Sequence, residues 1–137
     1  MPLRENAAAG PGRPRLIATW YGVGALLLLA VKALSLMPIS NTGVNDKLSH
    51  LVTYFVLAGW FGLLAADRVG LAWAFVAMVA YGGLIELLQA MTPHRQAEWA
   101  DLLANTAGAG IGIWLYFTPL RRLLLFVDRC LSRVFQR

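Results

Sequence analysis

Four apolar stretches, each close to the length needed to cross a membrane, account for most of this chain. They cover residues 16–37, 48–66, 71–91 and 101–118. An α-helix needs about 20 residues to cross roughly 30 Å of hydrocarbon. A segment inside the bilayer must also satisfy its own backbone hydrogen bonds, which excludes open strands. We therefore predict an all-α fold, an integral membrane four-helix bundle followed by a C-terminal interfacial amphipathic helix.

The composition also indicates a membrane protein. Hydrophobic residues make up 58% of the chain and charged residues 14%, whereas a soluble domain has about 25% charged residues. Cys130 is the only cysteine, which excludes an internal disulfide and a multi-cysteine metal site. The net charge of +5 comes from basic residues that flank the apolar stretches. Because this is the pattern of a topology signal, we predict no nucleic-acid partner.

The chain divides into three segments. Residues 1–15 are rich in Ala, Gly, Pro and Arg without apolar periodicity, which predicts a disordered N-terminal arm. Residues 16–118 form the predicted four-span membrane domain, and residues 119–137 form an amphipathic cytoplasmic tail. The first apolar stretch contains Lys32 and lacks a convincing small-residue cleavage site. We therefore expect a retained anchor and not a cleaved signal peptide.

The distribution of basic residues predicts the orientation. Four spans place the arm, the second loop and the tail on one side, and these carry nine arginines: Arg4, Arg13, Arg15, Arg68, Arg121, Arg122, Arg129, Arg133 and Arg137. The loops 38–47 and 92–100, on the other side, carry only Lys47 and Arg95. The positive-inside rule then predicts that both termini are cytoplasmic and that these two loops face outward.

Polar side chains concentrate at the predicted outer ends of three spans. They are Asp46, Lys47, His50, Glu86, Gln89, Asp101 and Asn105. Asp46 and His50 are four residues apart, as are Asp101 and Asn105, so each pair shares a helix face. A charge near hydrocarbon is costly unless it is paired or hydrated, so such a cluster indicates a functional site.

The order and spacing of these motifs resemble the VanZ-like family of small bacterial membrane proteins. The matching motifs are Asp46-Lys47-Leu48-Ser49-His50 with Tyr54, Glu86-Leu87-Leu88-Gln89, Arg95, and Asp101-Leu102-Leu103-Ala104-Asn105-Thr106-Ala107-Gly108. The family is named for a protein that lowers susceptibility to the glycopeptide teicoplanin, and many members lack an assigned reaction. The resemblance implies a location in the bacterial inner membrane and a link to the cell envelope. Family members commonly have a glycine before the arginine, where this chain has His94.

The residue types suggest phosphate chemistry. His50 can serve as base, acid or nucleophile near neutral pH, and Glu86 is placed for proton transfer. With Asp101 these are the candidate catalytic residues. The candidate substrate-binding residues are Asp46, Lys47, Tyr54, Gln89, Arg95 and Asn105. Of these, the cations Lys47 and Arg95 would bind phosphate. The two aspartates are also able to orient His50, bind a metal or pair with the cations, so both metal binding and the identity of any cofactor stay open.

Each residue also has a structural explanation. Asp46 and Asp101 are good helix N-caps, Lys47 can snorkel, and His50 can be an interhelical hydrogen bonder. Lys32 lies at a depth similar to that of Glu86, and we expect these two side chains to pair. Ala104, Gly108 and Gly112 form a small-residue stripe that allows close helix approach.

The tail has apolar and basic faces. Leu123, Val127, Cys130, Leu131 and Val134 share one helical face, and Arg122, Arg129, Arg133 and Gln136 share the other. This pattern predicts an interfacial helix held by anionic inner-leaflet lipid at about 1 kcal/mol per basic residue. A topology anchor without lipid preference explains it equally well.

Two functions fit the sequence. In the first, the protein acts on or handles a phosphate-bearing lipid headgroup at the outer leaflet. In the second, it is a non-catalytic protein that binds lipid or glycopeptide, and its polar cluster fixes helix packing. The mixture of titratable types favours the first, because packing alone is served by Asn, Gln, Ser and Thr at lower cost. The oligomeric state stays open.

Overall fold

The protein is a bundle of helices, seen in a computed structural model that describes residues 12–36, 46–93 and 98–135. Five α-helices cover the described residues: α1 Ile17–Ser35, α2 Asp46–Leu64, α3 Arg68–Ala90, α4 Trp99–Ile113 and α5 Pro119–Phe135. A short 3-10 helix, Trp114–Phe117, extends α4. No strand is present in the described part of the chain. The all-α prediction is confirmed.

Helices α1, α2 and α3 are long and apolar enough to cross a membrane. A fourth candidate span consists of Trp99–Phe117 and Pro119–Phe135 taken together, with a bend of 66° between them. Thr118 between them has extended backbone angles, as expected for a residue before proline, and Pro119 is suited to the first position of a helix. The bend separates a bundle of four helices from a fifth helix that leaves it.

The helices alternate in direction, which gives the bundle two ends. The polar end contains the C-termini of α1 and α3 and the N-termini of α2 and α4. The tail end contains the opposite termini and α5. Gln89 near the end of α3 donates a hydrogen bond to the carbonyl of Ser35 at the end of α1, and Lys47 of α2 pairs with Asp101 of α4. These contacts bring four helix termini together at the polar end.

The core lies between α2 and α4, which make the most extensive contact in the bundle. A Cβ atom at Gly108 would overlap the carbonyl of Leu51, and one at Gly112 would overlap the carbonyl of Phe55. Backbone therefore packs directly against backbone, and this part of the predicted stripe is confirmed. Tyr54, Leu57, Ala58, Met78 and Ala109 form the buried core cluster beside this contact.

Helix α1 lies at the periphery, where Gly24 is its only buried residue. A Cβ atom at Gly24 would meet the tip of the Phe61 ring, so α2 packs its aromatic side chain against α1 at a position without a side chain. Tyr81 of α3 donates a hydrogen bond to the carbonyl of Leu28. Most of the α1 surface is left for lipid.

Helix α5 is fixed to the tail end by two buried or half-buried charged side chains. Asp128 accepts hydrogen bonds from the backbone N–H groups of Arg15 at 2.6 Å and Leu16 at 2.9 Å, and from Trp20 Nε1 at 2.9 Å. An anion at the start of α1 is favoured by the orphan N–H groups and the helix dipole. Arg121 donates to the carbonyl of Ala65, just after α2 ends.

The predicted amphipathic tail is thus a helix over Pro119–Phe135. Its apolar residues Leu123, Val127 and Leu131 are exposed, as an interfacial helix requires. Gln136 and residues 1–11 of the predicted arm lie outside the described residues. The anionic lipid partner stays a prediction.

Candidate functional site

His50 is the centre of a cluster of polar side chains at the polar end. The first turns of α2 supply Asp46 and His50, α4 supplies Asp101 and Asn105, and α3 supplies Glu86. Residues four apart share a helix face, and the contact between α2 and α4 brings two such faces together. The His50 side chain is only 10% exposed.

The Nε2 edge of the imidazole faces two aspartates. His50 Nε2 lies 3.8 Å from Asp101 Oδ2 and 4.0 Å from Asp46 Oδ2. Asp101 is buried, whereas the Asp46 side chain is 56% exposed. One nitrogen and two carboxylate oxygens, all within 4.8 Å of one another, form a donor set of the kind that binds divalent metal ions.

The Nδ1 edge faces an amide and a third carboxylate. His50 Nδ1 lies 2.9 Å from Asn105 Oδ1 and 3.8 Å from Glu86 Oε1. Because an amide oxygen only accepts hydrogen bonds, Nδ1 is the donor in the first contact. In the tautomer protonated at Nδ1, a neutral His50 has its lone pair on Nε2, on the side of the two aspartates.

Several buried polar atoms beside His50 lack a hydrogen-bond partner among the described residues. They are both carboxylate oxygens of Glu86, the hydroxyl of Tyr54 and Nδ2 of Asn105. A Cβ atom added at Gly82 would lie 3.2 Å from Tyr54 Cε1 and 3.3 Å from Asn105 Nδ2, so this glycine lets both side chains pack against α3. Buried polar groups are normally paired, and a set of unpaired ones indicates a site for a ligand or a proton.

A lysine connects the cluster to the surface. Lys47 Nζ lies 2.7 Å from Glu98 Oε2 and 3.1 Å from Asp101 Oδ1. The hydrogen bond from Lys47 holds the pKa of Glu98 below its ordinary value of 4.5. Sequence analysis did not single out Glu98, although its position three residues before Asp101 was a signal that could have identified it.

The site carries more negative than positive groups. Among the described residues, four carboxylates belong to it, those of Asp46, Glu86, Glu98 and Asp101, against one ammonium group, that of Lys47. Buried charges of one sign are unfavourable unless a cation or protons compensate them.

Some predicted residues lie apart from this cluster. Gln89 is buried, but its amide donates to the carbonyl of Ser35 on α1. Arg95 and His94 lie outside the described residues. The expected pair of Lys32 with Glu86 is wrong: no ion pair joins these two described residues, Lys32 is exposed, and His50 Nδ1 lies 3.8 Å from Glu86 Oε1 instead.

Comparisons with known proteins identify a family. A family model described as VanZ/LLP1 matches residues 18–125. The match covers every candidate site residue named above and most of the four-helix bundle. Searches of curated proteins and of solved structures found no match.

Proposed function

Because the chain belongs to the VanZ/LLP1 family and is a multi-pass membrane protein with a titratable cluster at one end of its bundle, we propose that it handles a phosphate-bearing lipid headgroup. In this proposal the polar end lies at the outer leaflet of the bacterial inner membrane, and His50 transfers protons to or from the bound headgroup. The activity would connect to the envelope and to the response to glycopeptides.

One observation carries the proposal: Glu86 is 6% exposed, and among the described residues its carboxylate has no side-chain hydrogen-bond partner and only a weak contact with the backbone of Glu98. It lies four residues before the end of α3, about 6 Å along the helix. A carboxyl at such a position is costly, and one that only held helices together would be expected to use its hydrogen bonds for that purpose. Glu86 instead makes no side-chain hydrogen bond to another helix and lies beside His50.

The surrounding contacts support proton transfer by His50. Asn105 holds Nδ1 at 2.9 Å, which fixes the orientation of the ring and leaves Nε2 on the side of the aspartates. General acid or base catalysis needs a titratable group in a fixed position within reach of the reacting atom. Glu86 and Asp101 stabilise the imidazolium that forms when His50 accepts a proton.

The location of the cluster suits a headgroup substrate. Lys47 and Glu98 are exposed, while His50 and Glu86 lie in the interior side by side. A lipid phosphate at the bilayer surface would meet Lys47 first and the imidazole next. Arg95, in the loop before α4, is the second cation expected to contact the phosphate.

A structural function is the second candidate, because several polar residues at this end connect helices to one another. Lys47 joins α2 to α4, His50 joins the same two helices through Asn105, and Gln89 joins α3 to α1. Such bonds contribute to the association of membrane helices. In this alternative the cluster fixes helix packing and binds a lipid or a glycopeptide without turnover.

Turnover by purified protein in lipid nanodiscs tests the proposal. The substrates would be a panel of phospholipids and polyprenyl phosphates, and the variants His50→Ala and Glu86→Gln. Asp67→Asn is the matched control, because Asp67 is a carboxylate at the tail end that caps α3 through Gly70. Product from the native chain and the control, but from neither site variant at equal folded fraction, would support the proposal. No product, with both site variants destabilised, would favour the structural function.

The proposed orientation has its own test. A reporter that is active only outside the cytoplasm, fused after Ala97, should be active, and one fused after Arg68 should be inactive. The reverse result would place the site at the cytoplasmic face.

A further inference from the structure

We infer that the polar end binds a divalent transition-metal ion, Zn²⁺ or Mn²⁺, through His50 Nε2 and the carboxylates of Asp46 and Asp101. One imidazole and two carboxylates form a mixed nitrogen and oxygen donor set, which suits these ions better than Mg²⁺ or Ca²⁺, whose ligands are oxygens alone. Three protein ligands also leave coordination positions for a substrate oxygen.

The distances allow coordination after a small movement. Ligand atoms bound to one tetrahedral ion at about 2.0 Å lie about 3.3 Å from each other. The present separations from His50 Nε2 are 3.8 Å to Asp101 and 4.0 Å to Asp46. Contraction by about 0.5 to 0.7 Å brings the two oxygens to coordinating distance from Nε2, and the two oxygens, which lie within 4.8 Å of each other, need to approach by up to about 1.5 Å. Asp46 is exposed, at the first residue of α2, so rotation of its side chain suffices for its share.

The groups around the three ligands are those that a metal site requires. His50 Nδ1 is bound to Asn105 Oδ1, which leaves Nε2 with a lone pair for the ion. Metal-binding histidines usually donate their other N–H to an oxygen in this way. Lys47 contacts Oδ1 of Asp101, so Oδ2, the oxygen nearer to His50, faces the proposed site.

An independent observation comes from Glu86. Its carboxylate is buried, has only a weak backbone contact with Glu98 in the described part of the chain, and lies 3.8 Å from Nδ1 of the same imidazole. An ion on Nε2 would polarise the ring and strengthen Nδ1–H as a donor toward Asn105 and Glu86. Its positive charge would also offset the four carboxylates, which only Lys47 balances among the described residues.

The ion would explain how an acidic site receives an anion. A phosphate approaching this end meets a surplus of carboxylates, which repel it. A metal ion held by three of the side chains reverses the local charge and can bind a phosphate oxygen directly. This last role rests on the proposed function, whereas binding of the ion itself does not.

Metal binding by the full chain in nanodiscs tests the inference. After treatment with a chelator, the native protein should bind one Zn²⁺ or Mn²⁺ per chain by calorimetry. His50→Ala and Asp101→Asn should each weaken binding at least tenfold. Asp67→Asn, a carboxylate at the other end of the bundle, is the matched control and should bind within about twofold of the native chain. Binding that is absent, or equal in His50→Ala, would overturn the inference.

A second measurement needs no variant. Electron spin echo spectra of the Mn²⁺-loaded native chain should contain the hyperfine signal of one directly bound imidazole nitrogen. Its absence would contradict coordination by His50 and would leave His50 as an imidazolium between carboxylates.

The two proposals fail in different ways. Metal binding without turnover or binding of phosphate-bearing lipids would retain the metal site and reject the proposed function. Undiminished turnover by metal-free protein, together with no binding of Zn²⁺ or Mn²⁺ by calorimetry, would retain the proposed function and reject the metal site.

Discussion

Replacing Gly108 with alanine should push α2 away from α4 and disturb the site next to it. The added Cβ would lie 2.9 Å from the carbonyl carbon of Leu51 and closer still to its oxygen. Ordinary contact begins at 3.4 Å, so the helices must separate by at least about half an ångström. Overpacking of this kind costs about 1–3 kcal/mol. Since Asn105 lies one turn away on the same helix, its 2.9 Å contact with His50 should lengthen too.

The control for this prediction is two residues along the same helix. A Cβ at Gly110 would meet only Phe75, at an ordinary 3.9 Å. Both substitutions change helix propensity by the same amount, so the difference between them isolates the clash. Unfolding of each variant in mixed micelles, followed by tryptophan fluorescence, would give the two free energies. Equal stability of Gly108→Ala and Gly110→Ala would refute the close packing of α2 on α4.

Other predictions concern the two ends of the bundle. Asp128→Asn should lower the free energy of unfolding by about 2 kcal/mol, since three hydrogen bonds to a charged group weaken. Trp20→Phe removes one of these bonds and should lower it by about half as much. Thermal unfolding measures both losses, and equal losses would contradict this account. Arg121→Met should lower the free energy of unfolding by about 1 kcal/mol in the same assay, because the carbonyl of Ala65 at the end of α2 loses its hydrogen bond from Arg121. Unchanged stability would show that Arg121 does not cap α2. Because Lys47 lowers the pKa of Glu98, the stability this pair contributes is present above pH 4.5 and lost as the pH falls below it. The difference in melting temperature between the native chain and Glu98→Gln should therefore shrink below pH 4.5, and a difference that stays constant would contradict the linkage.

Hydropathy predicted the helices better than their ends. The second apolar stretch starts at Leu48, but α2 begins at Asp46, because a helix continues past the hydrocarbon into polar residues. The fourth stretch runs without interruption to Thr118, yet the α-helix ends at Ile113 and becomes a 3-10 helix. Apolar composition reports burial in lipid, and it does not report the hydrogen-bond pattern of the backbone.

The candidate site was more predictable at its centre than at its edges. Spacing of four residues was enough to expect Asp46 beside His50, and both lie in the cluster. The partner of Glu86 was not predictable from the depth of residues in the membrane. Depth does not fix the rotation of α1 about its own axis, and this rotation turns Lys32 outward. Asp128 was missed for another reason: its partners are backbone groups 112 and 113 residues away, and no sequence pattern encodes such a contact.

The close contact between α2 and α4 sets an order of assembly during synthesis. These helices are separated in the chain by α3, so the tightest pair cannot form when α2 and α3 have just left the ribosome. Until α4 is inserted, the carbonyls of Leu51 and Phe55 have no glycine of α4 packed against them. His50 then has neither Asp101 nor Asn105 beside it. The last helix of the bundle therefore completes both the core and the candidate site. A chain stopped before residue 99 would lack both the contact between α2 and α4 and the half of the candidate site that α4 supplies.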